Sequence, residues 1–227
     1  MKYLLNILTF FAIAMLVSCG DFYTFETEEV MPDDTQMKVE QDTVCLMVGE
    51  SYRLSVNFTP DSISNTTVYW THLNAEDSLV VIRNDSVFAK AAGTSDIIVL
   101  GDGGSLCDTL HVVVIDRWND IDLSHESQSD MVIYADITVN GAPLDTVNQQ
   151  VAAFVRYEFA GMAHMKSAHG INYAEMRLWS FADTDVGNVL FRCYDKRRHR
   201  LYTASQRPPF TALEAYGTLS SLYSITF

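Results

Sequence analysis

Positive charge is scarce in this chain: 15 Lys and Arg residues stand against 29 Asp and Glu residues, for a formal net charge of −14 at pH 7. The deficit is concentrated in residues 19–115, where 16 acidic residues outnumber 4 basic ones, while residues 116–227 carry 13 acidic and 10 basic residues. Because an acidic surface repels phosphate backbones, we expect no nucleic acid partner.

Signatures of catalysis and of metal binding are absent as well. The sequence contains no Gly-x-Ser-x-Gly turn, no His-Glu-x-x-His helix and no phosphate-binding loop. The four cysteines form no Cys-x-x-Cys pair, and His164 and His169 have no third metal ligand beside them in the sequence. We therefore predict no enzymatic activity, no metal and no cofactor. The alternative, an enzyme, would need ionisable side chains clustered in a cleft.

Only one long apolar run occurs, from Tyr3 to Val17, directly after Lys2. At about 15 residues it is shorter than the roughly 20 that a membrane-spanning helix requires, so a transmembrane anchor is the weaker interpretation. A basic start, a short apolar stretch and a small residue describe a secretory signal peptide, which we assign to residues 1–18.

The end of this segment is Leu16-Val17-Ser18-Cys19, which resembles the lipobox of bacterial lipoproteins at every position. The resemblance implies that Cys19 becomes the lipidated first residue of the mature protein and attaches it to a membrane. Residues 19–36 are acidic and predict a tether. Acidic residues after the lipid cysteine resemble the export signals of Bacteroides-group lipoproteins, which implies an outer-membrane protein exposed at the cell surface.

Residues 37–115 are predicted to form short β-strands. Apolar and polar residues alternate in Ser51–Phe58 and again in Leu110–Val114, a period of two that buries one face of a sheet. Asp102-Gly103-Gly104 is a hairpin signal between the last two strands. About seven strands without helical periodicity predict an all-β sandwich.

Six motifs follow one another through this segment. They are Leu46-Met47-Val48-Gly49-Glu50, Tyr52-Arg53-Leu54, Phe58-Thr59-Pro60, Val68-Tyr69-Trp70, Val87-Phe88-Ala89-Lys90-Ala91-Ala92-Gly93-Thr94 and Leu110-His111-Val112-Val113-Val114. In order and spacing they resemble the bacterial immunoglobulin-like group 2 domain. The resemblance implies an immunoglobulin-like β-sandwich with Trp70 in its core and with its early edge strand beside its last strand.

Three cysteines remain once Cys19 is assigned to the lipid anchor. The alternation of apolar and polar residues directs Cys45 and Cys107 away from the core. The resemblance implies that their two strands are neighbours. We therefore hypothesise a Cys45–Cys107 disulfide, which would form in an oxidising compartment. The alternative is two unpaired thiols that are several residues out of register. Cys193 shares an apolar face with Phe191 and is predicted to be a buried core thiol.

Residues 116–227 show strand patterns again and predict a second β-sandwich domain. The informative stretches are Asp130-Met131-Val132-Ile133-Tyr134-Ala135, Val151-Ala152-Ala153-Phe154-Val155, Glu158-Phe159-Ala160-Gly161-Met162-Ala163, Val189-Leu190-Phe191-Arg192-Cys193-Tyr194-Asp195 and Tyr216-Gly217-Thr218. They resemble, less closely, a domain of Bacteroidetes surface lipoproteins. Arg156 stands where that domain usually has glycine, and Ala160 where it usually has arginine.

Six Asp-(Ser/Thr)-apolar tripeptides resemble the O-glycosylation site of Bacteroides-type secreted proteins. The resemblance implies glycans on some of Thr43, Ser62, Ser78, Ser86, Thr109 and Thr146. Aspartate turns before strands produce the same pattern, which is the structural alternative.

The predicted function is non-catalytic adhesion or glycan recognition at the cell envelope, with a glycan or a host surface protein as partner. The alternative is a structural or assembly subunit of the envelope or of a pilus. We expect the contact surface on loops of the second domain, near Trp179, Tyr202 and the basic run Lys196–Arg200. The basic run is interpreted as a solvated hairpin tip, or alternatively as a site for acidic glycans or lipid headgroups.

Overall fold

The computed structural model describes residues 35–60, 67–101, 104–119, 130–180 and 187–227. Within these ranges the chain is built from β-strands and contains no α-helix, which confirms the predicted all-β class. Gln36–Phe227 form one compact unit. No helix in the described ranges is long and apolar enough to cross a membrane.

The first β segment, residues 36–115, contains nine strands in three small sheets. Its strands are β1 (Gln36–Val39), β2 (Thr43–Met47), β3 (Ser51–Arg53), β4 (Val56–Thr59), β5 (Val68–His72), β6 (Val80–Arg83), β7 (Ser86–Ala89), β8 (Gly93–Gly101) and β9 (Leu106–Ile115). The sheets have the orders β1-β4, β3-β7-β6 and β2-β9-β8-β5. β2 and β9 pair in parallel, so the early edge strand and the last strand are neighbours, as the resemblance implied.

One buried cluster fills the space between these sheets. Val44, Leu46, Ile97 and Leu110 are at most 1% exposed because alternation along each strand directs them inward. Each such side chain contributes about 1.5–3 kcal/mol to folding through its burial. Trp70 packs against the cluster but is only half-buried.

The second β segment, residues 130–227, also has nine strands, but they form a single sheet. Its strands are β10 (Asp130–Val139), β11 (Ala142–Pro143), β12 (Gln149–Val155), β13 (Glu158–Ala168), β14 (Ile171–Trp179), β15 (Val189–Asp195), β16 (Arg200–Thr203), β17 (Ala215–Tyr216) and β18 (Tyr223–Thr226). The order is β11-β10-β14-β13-β12-β15-β16, and β17 and β18 pair in parallel with β10.

Strand β13 joins the two halves of this sheet. Its first part pairs with β12 through Glu158–Met162, and its second part pairs with β14 through Ala163–Ala168. A bulge opposite Ala153 and Phe154 bends the strand close to the point where its partner changes. The bend folds the sheet over, so both halves share one core and form a sandwich from a continuous sheet.

Gly161 is the residue that permits this bend. A Cβ atom at this position would overlap the carbonyl oxygen of Arg177 on β14 and would lie 3.2 Å from a methyl group of Leu178. Because glycine has no Cβ, the two backbones can approach this closely.

Cys193 lies fully buried in the core of the second β segment, which confirms the predicted core thiol. Burial raises the pKa of this thiol to about 12, and the charge of Asp195 adds to the shift. A thiol that stays protonated is a poor nucleophile, so Cys193 acts as an apolar side chain.

The hypothesis of a Cys45–Cys107 disulfide is corrected by the strand register, and both cysteines are free. Cys45 lies opposite Val113 of β9, whereas Cys107 lies six residues earlier on β9, opposite Leu100 of β8. Six residues of extended strand span about 20 Å, while a disulfide requires Cα atoms about 4.4–6.8 Å apart. The alternative of two unpaired thiols out of register is therefore the correct one.

Candidate functional site

The two β segments bury an apolar surface between them, which we call the seam. Its most buried members are Cys45, Met47, Trp118, Ala152, Phe154 and Tyr194. β2 and β9 supply one side of the seam, and β12 and β15 supply the other. The seam joins the two segments, and a cleft opens on either side of it.

Alternation along the strands explains how one strand serves two buried surfaces. On β2, Leu46 points into the core of the first segment, so Cys45 and Met47 point into the seam. On β15, Cys193 lies in the core of the second segment while its neighbour Tyr194 lies in the seam. Burial raises the pKa of the Cys45 thiol to about 11, which keeps this side chain neutral at physiological pH.

Trp118, from the stretch after β9, packs into the seam. Its ring meets Phe154 edge-on at 5.9 Å and Tyr194 at 6.5 Å between ring centroids. The guanidinium carbon of Arg192 lies 5.1 Å from the centroid of the Phe154 ring. Aromatic pairs of this kind contribute about 0.5–1.5 kcal/mol beyond their apolar burial.

A hydrogen-bonded carboxylate closes one end of the seam. The Tyr194 hydroxyl donates to Glu50 Oε2, and the backbone N–H of Met47 donates to the same oxygen at 3.0 Å. Burial raises the pKa of Tyr194 far above its usual value, and its hydrogen bond to Glu50 adds to the shift. On the open side, Lys196 Nζ lies 3.8 Å from Glu50 Oε1, a loose ion pair.

The basic run Lys196–Arg200 spans the turn between β15 and β16 and contacts the first β segment. The backbone N–H of Cys45 donates to the His199 carbonyl at 2.6 Å, and the His199 ring meets Tyr52 edge-on at 5.1 Å. The four basic residues of the turn are exposed, as expected for a solvated hairpin tip, and the turn is docked on the first segment at its His199 end. Arg197 is exposed.

Polar contacts inside the turn fix its conformation. Asp195 is 2% exposed and accepts hydrogen bonds from the Gln149 side chain at 3.0 Å and from the Arg198 backbone at 2.9 Å. Burial raises the pKa of Asp195, but these hydrogen bonds and the Arg198 charge outweigh it and hold the pKa below its usual value. Burial lowers the pKa of His199, against the opposing charges of Glu50 and Asp195.

A cleft of about 490 Å³ opens at the Glu50 end of the seam, and we call it the seam cleft. Its lining includes Glu50, Arg117, Trp118, Gln150, Lys196 and His199. Arg117 Nε donates to the Val48 carbonyl at 2.6 Å, which fixes the guanidinium at the cleft. Ligand pockets in proteins enclose about 300–1,000 Å³, so this cleft has the size of a ligand site.

A second cleft of about 590 Å³ lies on the β16 side of the seam. It brings together Thr43, one of the predicted glycosylation sites, and Tyr202, one of the aromatic residues predicted for the contact surface. Trp179, the other aromatic residue, is half-buried at the end of β14 and lines neither cleft.

The other predicted glycosylation sites are scattered over the fold. Ser78 and Thr146 are exposed like Thr43, while Ser86 and Thr109 are half-buried. Cys19 and Ser62 lie outside the described residues. Lipidation and glycosylation both stay predictions.

His164 and His169 are both exposed, on β13 and at the turn that follows it. Among the described residues, no three His, Cys, Asp or Glu side chains are grouped so that they could hold a metal ion.

Sequence reasoning missed the seam, although two signals for it are present. Val151–Val155 is an unbroken apolar run, which is typical of a strand buried on both faces. On β2, Cys45 and Met47 place apolar side chains on the face where alternation predicts polar ones. These signals identify strands with two buried faces but do not identify the surface that covers the second face.

Comparison with known families agrees with the fold of the first segment. Residues 34–110 match the family model of the bacterial Ig-like domain (group 2). The match confirms the resemblance that the six sequence motifs indicated, and it covers less than half of the chain. No curated protein matches the chain.

Several solved structures are similar to the chain at low identity. The S-layer protein rSbsC(31-844) is 12% identical with a TM-score of 0.31, over 75% of this chain and 25% of that one. Bovine butyrophilin is 10% identical with a TM-score of 0.29, over 79% and 100%. SGBP-B of the Bacteroides ovatus mixed-linkage glucan utilization locus, in complex with a mixed-linkage heptasaccharide, is 16% identical with a TM-score of 0.25, over 79% and 48%. The chain thus spans a quarter of that S-layer structure.

Proposed function

We propose that this chain is a lipid-anchored cell-envelope protein of a Bacteroidetes bacterium that binds its partner without catalysis, in adhesion or glycan recognition. The observation that carries the proposal is the seam cleft, a polar pocket between two β segments that share a buried contact surface. In this proposal the first segment serves as a spacer and supplies one wall of the binding site.

The lining of the seam cleft suits a ligand rich in hydroxyl groups. Ser51, Asn119 and Gln150 contribute hydroxyl and amide groups beside the charged ends of Arg117 and Lys196. A few polar groups on a fixed backbone are what orient a ligand in a pocket. Glycans have many hydroxyl groups that both donate and accept hydrogen bonds, and this lining offers both functions.

The carboxylate in the seam cleft is poorly suited to acid–base catalysis. A general base must be able to take a proton from the substrate. Glu50 Oε2 already accepts two hydrogen bonds from the fold, and Glu50 Oε1 faces Lys196. Glu50 is therefore engaged in contacts within the fold.

The test of binding is a screen of the mature protein in detergent against glycans and host matrix proteins. We expect a saccharide ligand, and we expect Gln150→Ala to weaken its binding by about fivefold, the effect of one lost hydrogen bond. Gln36→Ala, which removes an exposed amide on β1, is the matched control and should change nothing. Failure of every glycan and matrix protein to bind would overturn the proposal.

The test of location is protease treatment of intact cells, with lysed cells as the control. We expect digestion on intact cells and a palmitate label that is lost in Cys19→Ala. Protection until lysis would indicate the periplasmic face and would replace adhesion with a role in envelope assembly.

One observation favours the assembly alternative. β5 is the terminal strand of its sheet, and among the described strands it pairs only with β8. Tyr69 on this strand is 65% exposed and Leu73 just after it is 59% exposed. Because an open strand edge can pair with another chain, self-association measured by sedimentation velocity and abolished by Tyr69→Lys would support this alternative. A monomer at all concentrations would exclude self-assembly through this edge.

A further inference from the structure

The charged side chains of the seam cleft differ in how far contacts with the rest of the protein constrain them. Glu50 is the acidic residue of its described lining, and its Oε2 atom is occupied by hydrogen bonds from Tyr194 and Met47. The two cations are less constrained. Lys196 is 66% exposed and lies 3.8 Å from the nearer Glu50 oxygen, which is too far for a hydrogen bond.

Arg117 is the better placed of the two cations. Its Nε atom is held by the Val48 carbonyl, and no carboxylate of the described residues forms an ion pair with it. The guanidinium is exposed and lines the cleft, with its Nη2 atom packed against Gly49. A guanidinium that is fixed through one nitrogen presents its remaining N–H groups in a geometry that matches a carboxylate.

We propose that the seam cleft binds a saccharide that carries a carboxylate, a uronic acid unit, with Arg117 and Lys196 on the carboxylate and the neutral polar residues on its hydroxyl groups. This inference rests on the proposed function and names the ligand class of that site. Two cations and one anion leave a single net positive charge in the described lining, which matches a monoanion. The strongly acidic first segment disfavours a more highly charged ligand.

The experiment measures binding of the mature protein in detergent by isothermal titration calorimetry. The probes are oligosaccharides that contain glucuronate, galacturonate or mannuronate, each paired with its neutral hexose counterpart. We expect at least one uronate probe to bind at least tenfold more tightly than its neutral counterpart, with an advantage that shrinks as salt is added.

Variants locate the carboxylate. Arg117→Gln should weaken uronate binding at least tenfold, because a charged hydrogen bond is lost, and should weaken binding of the neutral counterpart by a much smaller factor. Lys196→Gln should weaken uronate binding about threefold, since an exposed charge is removed. Arg197→Gln removes the same charge from the same turn, but Arg197 does not line the cleft, so it should have no effect. Thermal unfolding of each variant checks that the fold is intact.

The outcomes separate this inference from the proposed function. If neutral saccharides bind as tightly as uronates, or if Arg117→Gln and Arg197→Gln behave alike, the inference is overturned and glycan recognition stands. If no saccharide binds but a host matrix protein does, only this inference is overturned. If no glycan and no matrix protein of the wider screen binds, both proposals are overturned.

Discussion

The two β segments build their cores in different ways. The first divides nine strands among three small sheets, and the second bends one nine-stranded sheet around strand β13. In both, alternation determines which side chains are buried. The two segments differ in whether their strands form one continuous sheet, and the alternation of apolar and polar residues carries no information about this. In the second segment, a bulge and Gly161 allow the sheet to fold over without interruption. Burial patterns therefore predict the faces of a sheet, and local backbone features decide where the sheet ends.

The largest effect is expected from opening the core of the second segment. Phe191 is fully buried there, so Phe191→Ala should lower the free energy of unfolding by about 3–5 kcal/mol. Phe88 on β7 is 42% exposed, so Phe88→Ala is the matched control and should cost less than about 1 kcal/mol. Urea unfolding measures both variants, and similar losses would contradict the assigned core.

The bend in β13 is tested by adding one methyl group. Gly161→Ala should lower the free energy of unfolding by about 2–3 kcal/mol, because the new Cβ would overlap the Arg177 carbonyl. Ser167→Ala, at an exposed position on the same strand, provides the comparison. A Gly161→Ala protein as stable as the parent would mean that the two strands do not approach closely at the bend.

The seam should make stability sensitive to alkali. The unfolded chain releases the Cys45 proton above pH 9, whereas the folded protein holds it until about pH 11, so stability falls as the pH rises through this window. Two pKa units correspond to about 2.7 kcal/mol, which is an upper limit. Urea unfolding at several pH values should show that the stability of Cys45→Ala falls less steeply with pH than that of the parent protein. The difference between the two proteins at pH 8 gives the free energy lost with the packing of the Cys45 side chain.

Thiol accessibility checks the same assignment directly. In the folded protein Cys107 should react quickly with a thiol reagent, whereas Cys45 should react only after unfolding. An oxidised pair that resists the reagent even in denaturant would restore the disulfide hypothesis.

The smallest effect is expected from the hydroxyl group that closes the seam. Tyr194→Phe keeps the ring packed on Trp118 but removes the hydrogen bond to Glu50, so it should lower the free energy of unfolding by about 1–2 kcal/mol. Tyr202→Phe, on the half-buried edge strand β16, is the control. If Tyr194→Phe loses no more stability than the control, the hydrogen bond from Tyr194 to Glu50 does not contribute to the stability of the fold.

Much of the first segment could be predicted because its strands and turns are specified by short stretches of sequence. The period of two in Ser51–Phe58 and the ordered motifs indicated a sandwich that the family match confirms. The disulfide hypothesis failed because alternation reports which face a residue occupies but not its position along the ladder. Cys45 and Cys107 are on matching faces, yet the β9 residue opposite Cys45 is Val113, six residues after Cys107.

The candidate site was harder to predict because it depends on contacts that are distant in the sequence. Glu50 and Tyr194 are 144 residues apart, and no periodic pattern links them. The basic run Lys196–Arg200 was recognised as a feature, but its docking through His199 depends on a backbone hydrogen bond to β2, the terminal strand of its sheet. Arg156 adopts a φ of 51°, in the left-handed region that favours glycine.

The division of β13 between two partners has a practical consequence for engineering. A cut or an insertion within Glu158–Ala168 would disrupt the pairing with β12 or with β14 at the hinge of the sheet. The turn that follows differs, because it is exposed and no atom lies within 4 Å of the position of a Cβ at Gly170, so a segment can be inserted beside this glycine while its φ of 78° is kept. This exposed hairpin tip is therefore the natural place for an epitope tag, a fluorophore or a new pair of chain ends.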